Sequence, residues 1–484
     1  MMRLIIIDMQ DTETRNRAVQ MLRNMGIYAV GSVGSRLITI MLVPIYSFFI
    51  EPSEFGYYDI CFMVVLVMMP FVTLQMRDGA FRFLIDSDSE EERRKVVTFT
   101  VLTLARSAVV CIVLGILLSI FADIRYMWLT IAFGLTFSVY DVMQQMLRAL
   151  GHNKLYAASG IISSFLIFFI SVPLVVYADM GVLAVFVGNI VGRIVAILIV
   201  EWKVRMFTGY FRRHTDTRSV ARDMLKFSIP LIAVNVIIWG LSSGNRFFIN
   251  ELLGVEANGM YAVVVKFGAV LEALSLILIQ TWQEAAIMQY QAADKNRFFS
   301  NVFNTYAWFL SIVVISVSFF ARIFYSVIIG PAYQESVVYV YPLLAASMII
   351  ALMLYYDVIY QCSKATHRQL PGLLVATAIS LAGNYFFTRW WGLYGVVATL
   401  NVVYLTLVIF RAVETRRYVR VSISKSGIMA FIMLVVSGGV FYLPLSKAMM
   451  VVYLVAVYAV AIATCPEFIK QFVAEKLNLK TNRQ

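Results

Sequence analysis

The chain has 484 residues, 61% hydrophobic and only 14% charged, with a mean hydropathy of +0.80; soluble globular chains are about half apolar and a quarter charged, so a soluble fold is excluded. The net charge of +12 is spread over short loops rather than gathered on one face, which excludes a nucleic-acid binder. Four cysteines without a CxxC or metal-ligand spacing indicate neither a disulfide framework nor a zinc site, and no cofactor is expected.

Residues 1–25 begin apolar but turn charged at Asp8, Asp11, Glu13, Arg15 and Arg17, and the apolar run at 4–7 is too short for a signal peptide. They read as a cytoplasmic arm. Fourteen apolar stretches follow, at 26–50, 58–82, 96–121, 127–148, 156–178, 181–202, 227–249, 261–285, 299–321, 337–361, 371–389, 393–412, 426–443 and 446–464. Each is near the length of a bilayer crossing. The fold class predicted is an all-α polytopic membrane protein of about 14 transmembrane helices.

Lys and Arg gather on alternate connections: Arg93, Arg94 and Lys95; Lys154; Lys203, Arg205, Arg212, Arg213 and Arg218; Arg416, Arg417 and Arg420; and the tail. The intervening loops carry Glu51, Glu54, Asp123, Asp179, Glu251 and Glu256. The positive-inside rule puts both termini in the cytoplasm. Tyr57, Tyr58, Tyr126, Trp128, Trp202, Trp390 and Trp391 fall near span ends, where aromatic rings favour the interface.

Residues 22–66 align without gaps on 225–269, with Glu54-Phe55-Gly56-Tyr57-Tyr58 over Ala257-Asn258-Gly259-Met260-Tyr261. Further on, Met180-Gly181-Val182-Leu183 resembles Trp391-Gly392-Leu393-Tyr394, with Asn189 and Asn401 a similar distance beyond. Two six-span halves entering the membrane in the same sense make a parallel repeat, with a substrate site expected between them. The expected organisation is an N-lobe (26–203), a cytoplasmic linker (204–224), a C-lobe (225–413), two further spans (414–464) and a cytoplasmic tail (465–484).

An ionisable side chain at the bilayer centre costs about 2.5–3.5 kcal/mol. Candidates inside spans are Arg36, Arg77, Asp78, Arg106, Asp141, Arg193, Arg246, Lys266, Glu272 and Asp357. Basic groups outnumber acidic ones in spans 1, 2, 7 and 8, so Arg36, Arg77, Arg246 and Lys266 are candidates for a cationic cleft that binds phosphate or pyrophosphate. Asp78, Asp141, Glu272 and Asp357 are candidates for ion coupling or buried pairs. Against this stands the simpler reading that Arg77, Arg106 and Arg193 snorkel to headgroups and that Asp78 merely pairs with adjacent Arg77. Pro44 and Pro230 are hinge candidates, with static kinks as the alternative.

The run from Gly34-Ser35-Arg36 to Leu42-Val43-Pro44, then Glu51-Pro52-Ser53-Glu54-Phe55-Gly56-Tyr57-Tyr58, resembles the opening of Wzx-type O-antigen and polysaccharide flippases. These belong to the multidrug/oligosaccharidyl-lipid/polysaccharide (MOP) exporter superfamily. Gly244-Asn245-Arg246-Phe247-Phe248-Ile249, with Leu253-Gly254 and Gly259-Met260-Tyr261, resembles the seventh-span signature of the same family. There the family often has Asp where this chain has Asn245, which argues against carboxylate-based ion coupling at that position. The resemblance implies a flippase for an oligosaccharide linked to undecaprenyl pyrophosphate, in a bacterial inner membrane. Its partners would be the lipid-linked oligosaccharide, membrane lipids and other polysaccharide-assembly membrane proteins. Coupling to Na+ or H+ is left open. A peptidoglycan-precursor flippase or a multidrug exporter of the superfamily are the alternatives; short outer connections weigh against a membrane-embedded polymerase.

Overall fold

The computed structural model describes residues 34–35, 38, 40–121, 123–212, 216–363 and 365–466. The arm 1–25, Arg36, the linker residues Arg213 and His214 and most of the tail lie outside the described residues. The protein is an all-α polytopic membrane protein, with no strand among the described residues.

The helices follow the apolar stretches. They are α1 (Ile40–Phe49), α2 (Pro52–Val72), α3 (Met76–Ile85), α4 (Glu90–Phe121), α5 (Met127–Ala149), α6 (Asn153–Val176) and α7 (Val182–Val204). Then come α8 (Arg218–Ser243), α9 (Asn245–Leu253), α10 (Val255–Gln289), α11 (Lys295–Ile328) and α12 (Val340–Cys362). The last four are α13 (Leu370–Trp391), α14 (Leu393–Thr415), α15 (Lys425–Phe441) and α16 (Lys447–Ala463). Ten helical stretches among the described residues are long and apolar enough to cross a bilayer. α1, α15 and α16 are apolar but shorter. α5 has the length, but Asp141, Gln144, Gln145 and Arg148 reduce its apolar character.

Two expected spans are broken. The second stops at Val72 and resumes at Met76. Leu74 and Gln75 both take left-handed backbone conformations, with φ of 48° and 54°. Pro70 lies just upstream, and the freed groups find local partners: Gln75 N–H donates to Pro70 O, and Thr73 Oγ1 donates to Met69 O. The seventh expected span ends at Ser243, and α9 starts at Asn245. Pro230, by contrast, lies inside continuous α8, and Pro44 inside α1.

Packing divides the described chain into two compact units: residues up to Ile50 with Tyr57–Arg246, and Glu51–Gly56 with residues from Phe247 on. In the first unit, Phe133 and Phe186 pack with Cys61 and Val65, while Met76, Met143, Met146, Met206 and Met224 fill a second cluster. In the second unit, Trp282 of α10 stacks on Tyr355 of α12 with centroids 4.9 Å apart, and Tyr355 OH donates to the Phe299 carbonyl. Asn304 of α11 donates to Ser422 O and accepts from Ser424 N–H, so one amide side chain anchors the extended segment leading into α15.

One pair of matched sequence motifs has matching backbone. Gly181 precedes α7 with φ 51° and ψ −130°; Gly392 precedes α14 with φ 57° and ψ −136°. Both helices are 23 residues long. This conformation is closed to residues with a Cβ, so the same glycine turn recurs because the same turn is made twice. Gly392→Ala is expected to lower stability by about 1–3 kcal/mol, read as earlier thermal unfolding of the purified protein. No atom lies within 4 Å of the added Cβ, so the cost is one of backbone alone. An unchanged unfolding temperature would show that the turn relaxes.

Candidate functional site

The first unit carries a line of polar side chains through its apolar helices. It starts at the break after α2, where Gln75 Nε2 donates to Asp78 Oδ2 at 2.6 Å. Arg77 turns away from Asp78. Its Nε lies 3.3 Å from Asp141 Oδ2 on α5, an ion pair without a well-aligned hydrogen bond. The Arg77 side chain is 44% exposed and that of Asp141 20%. One turn on, Gln144 donates to Tyr140 OH and Ser159 Oγ. Arg148 lies over the rings of Phe81 and Tyr156 and donates to Gln145 Oε1.

Arg193 of α7 does not snorkel. Its guanidinium lies over Phe133 and Phe137, 5.2 and 4.8 Å from the ring centroids. It donates to the carbonyl and the side-chain oxygen of Asn189, at 3.0 and 2.7 Å. Cation–π contact and charge-assisted hydrogen bonds replace the water this cation would otherwise seek.

Arg246, at the start of α9, pairs with Asp59 of α2 at 2.7 Å, with side chains only 7% and 4% exposed. Asp59 was absent from the candidates read in the sequence. It falls at the start of the second predicted span, where an acid reads as interfacial. Arg246 also reaches Asn245 Oδ1 at 3.4 Å. A carboxylate therefore faces this arginine, and it comes from another helix rather than from the preceding residue.

In the second unit, Asp357 of α12 pairs with Arg411 of α14 at 2.6 Å. Arg411 was likewise missed, because nothing in a linear sequence pairs residues so far apart. Lys266, half-buried, and Glu272, exposed, both stand on α10. The structure thus joins Arg77 to Asp141, Arg246 to Asp59 and Asp357 to Arg411. Arg36 lies outside the described residues.

The sequence model of the polysaccharide biosynthesis protein family matches residues 21–282. No curated protein sequence matches the chain. Among solved structures, the lipid II flippase MurJ in an inward closed conformation is similar at a TM-score of 0.69 and 11% identity, over 92% of this chain and 99% of that one. An inward-facing multidrug resistance MATE family transporter of the MOP superfamily is similar at 0.63 and 12%, over 81% and 98%. A Vibrio cholerae MATE transporter is similar at 0.53 and 11%, over 86% and 100%. Identities this low speak for the fold, which is that of the MOP transporters. Both stretches that carry the flippase resemblance lie within the family match, which spans more than half of the sequence, and the chain belongs to the polysaccharide biosynthesis protein family.

Proposed function

We propose that this chain is a flippase. It carries an oligosaccharide linked to undecaprenyl pyrophosphate from the inner to the outer leaflet by alternating access, in a bacterial inner membrane with both termini cytoplasmic. The observation that carries this reading is the family match over 21–282, which contains all four cleft cations named from the sequence: Arg36, Arg77, Arg246 and Lys266. The fold, shared with MurJ, a lipid II flippase, is compatible with a lipid-linked substrate.

Exposure divides the cations by role. Arg77 is accessible and its pairing with Asp141 is loose, so its outer N–H groups are available to a phosphate. Arg246 is sealed against Asp59 and serves as an internal brace, because approach of a substrate would strip it of a buried partner. Outward movement of an anion against an inside-negative potential releases about 2.3 kcal/mol per charge per 100 mV. Net export of a pyrophosphate is therefore favoured by the field itself.

In vesicles containing the reconstituted protein, translocation of undecaprenyl-pyrophosphate-linked oligosaccharide is expected to fall at least about tenfold in Arg36→Ala, Arg77→Ala and Lys266→Ala, the cost of losing a charge-assisted contact. Normal translocation by all three, or efflux of cationic drugs without lipid translocation, would overturn the reading in favour of a multidrug exporter.

Arg246 separates from this group by its response. Removing either partner of a buried ion pair costs about 3–5 kcal/mol, so Asp59→Ala and Arg246→Ala should each reduce the folded protein recovered from membranes. The exchange Asp59→Arg with Arg246→Asp is expected to recover much of that loss. If Arg246→Ala instead accumulates normally and fails only in translocation, Arg246 binds substrate.

A further inference from the structure

A groove of about 760 Å³ runs along the first unit between α2 and α4, with α5 behind it. The transport reading leaves it unused. Its walls are apolar, and Val110, Leu114 and Leu118 recur at four-residue spacing on one face of α4, each about half exposed. Two cations interrupt it. Arg125, at one end, donates to Tyr126 OH and lies over the rings of Tyr57 and Tyr126. Arg106, at the middle of the 32-residue α4, is exposed and has no hydrogen bond or ion pair among the described residues.

An arginine at this depth is costly unless an anion meets it. Helical side chains lean toward the helix N-terminus, so the Arg106 guanidinium inclines toward Thr103 and the end that carries Arg93, Arg94 and Lys95. That is the end assigned to the cytoplasm by its charge. From Arg106 to Phe121, α4 rises about 22 Å. One leaflet of hydrocarbon is about 15 Å deep. A cation with about 22 Å of apolar channel on its outer side, and only Thr103 and Phe99 of α4 lining it on the inner side, matches an inner-leaflet lipid whose headgroup is anionic.

We infer that this groove binds an anionic phospholipid, with its phosphate on Arg106 and one acyl chain lying along α4 toward Arg125. The occupant is a resident lipid rather than the transported one. Besides the two arginines, the polar lining is mostly isolated hydroxyls such as Thr103, Ser107, Thr130 and Ser138, too few to receive a glycan.

Native mass spectrometry of the purified full-length protein tests this with phosphatidylglycerol, phosphatidylcholine and undecaprenyl phosphate as probes. Phosphatidylglycerol is expected to be retained in preference to the other two. Arg106→Gln should weaken its retention about tenfold, as loss of a charge-assisted contact does, and Arg106→Lys should keep most of it. Leu114→Trp, which fills the channel and leaves the charge, should also weaken it. Equal retention of phosphatidylcholine, preference for undecaprenyl phosphate, or undiminished phosphatidylglycerol retention by Arg106→Gln would each overturn the assignment. The comparison of probes on the unaltered protein stands even if a variant fails to fold.

Discussion

Hydrocarbon offers no hydrogen bonds. Every charge carried into the bilayer must therefore be met by another group of the protein or by the head of a lipid. That constraint organises this molecule. Asp59 meets Arg246, Asp141 meets Arg77, Asp357 meets Arg411, and Arg193 lies on two phenylalanine rings while donating to Asn189. Each solution joins helices that are separate in sequence or ties a cation to its own helix one turn away. The pairs differ in how completely they are sealed, and the degree of sealing separates an internal brace from a group that can still exchange partners.

The break after α2 follows from the same constraint. Two consecutive residues with a Cβ in left-handed conformations cost about 1–3 kcal/mol each. Here the surroundings hold them: Thr73 bonds back to Met69, and Gln75 reaches forward to Asp78. The effect is to set α3 on a new course, so that Arg77 points across to α5 rather than pairing with its neighbour. Arg77 and Asp78 are consecutive on α3, about 100° apart, so their side chains diverge. The break therefore sets the direction from which Arg77 reaches Asp141.

Much of the architecture is legible in the sequence because apolar length is a local property. The repeat is legible for a similar reason: Gly181 and Gly392 mark a turn that only glycine makes, and the turn recurs with the same dihedrals. The partners are another matter. Asp59 and Arg411 carry no local sign of their roles, since a buried pair is defined by two helices meeting. Nor is the break at 73–75 legible. Leu74 and Gln75 are not turn residues, and Pro70 is no different in kind from Pro230, which sits in an unbroken helix. Proline permits a bend; packing decides whether one is made.

The Arg77–Asp141 pair bears most directly on how a membrane protein can hold an anion and release it. If Arg77 were sealed as Arg246 is, binding a phosphate would leave a carboxylate without compensation in a poorly hydrated interior. Asp141 also feels the like charge of Asp78 and, more weakly, the cation of Arg193. On the reading proposed above, an anion that drew Arg77 away would leave this carboxylate facing a like charge and only a weaker cation, so the exchange carries a cost. On the proposed reading, the Asp141 carboxylate sets how tightly an anion must bind to draw Arg77 away.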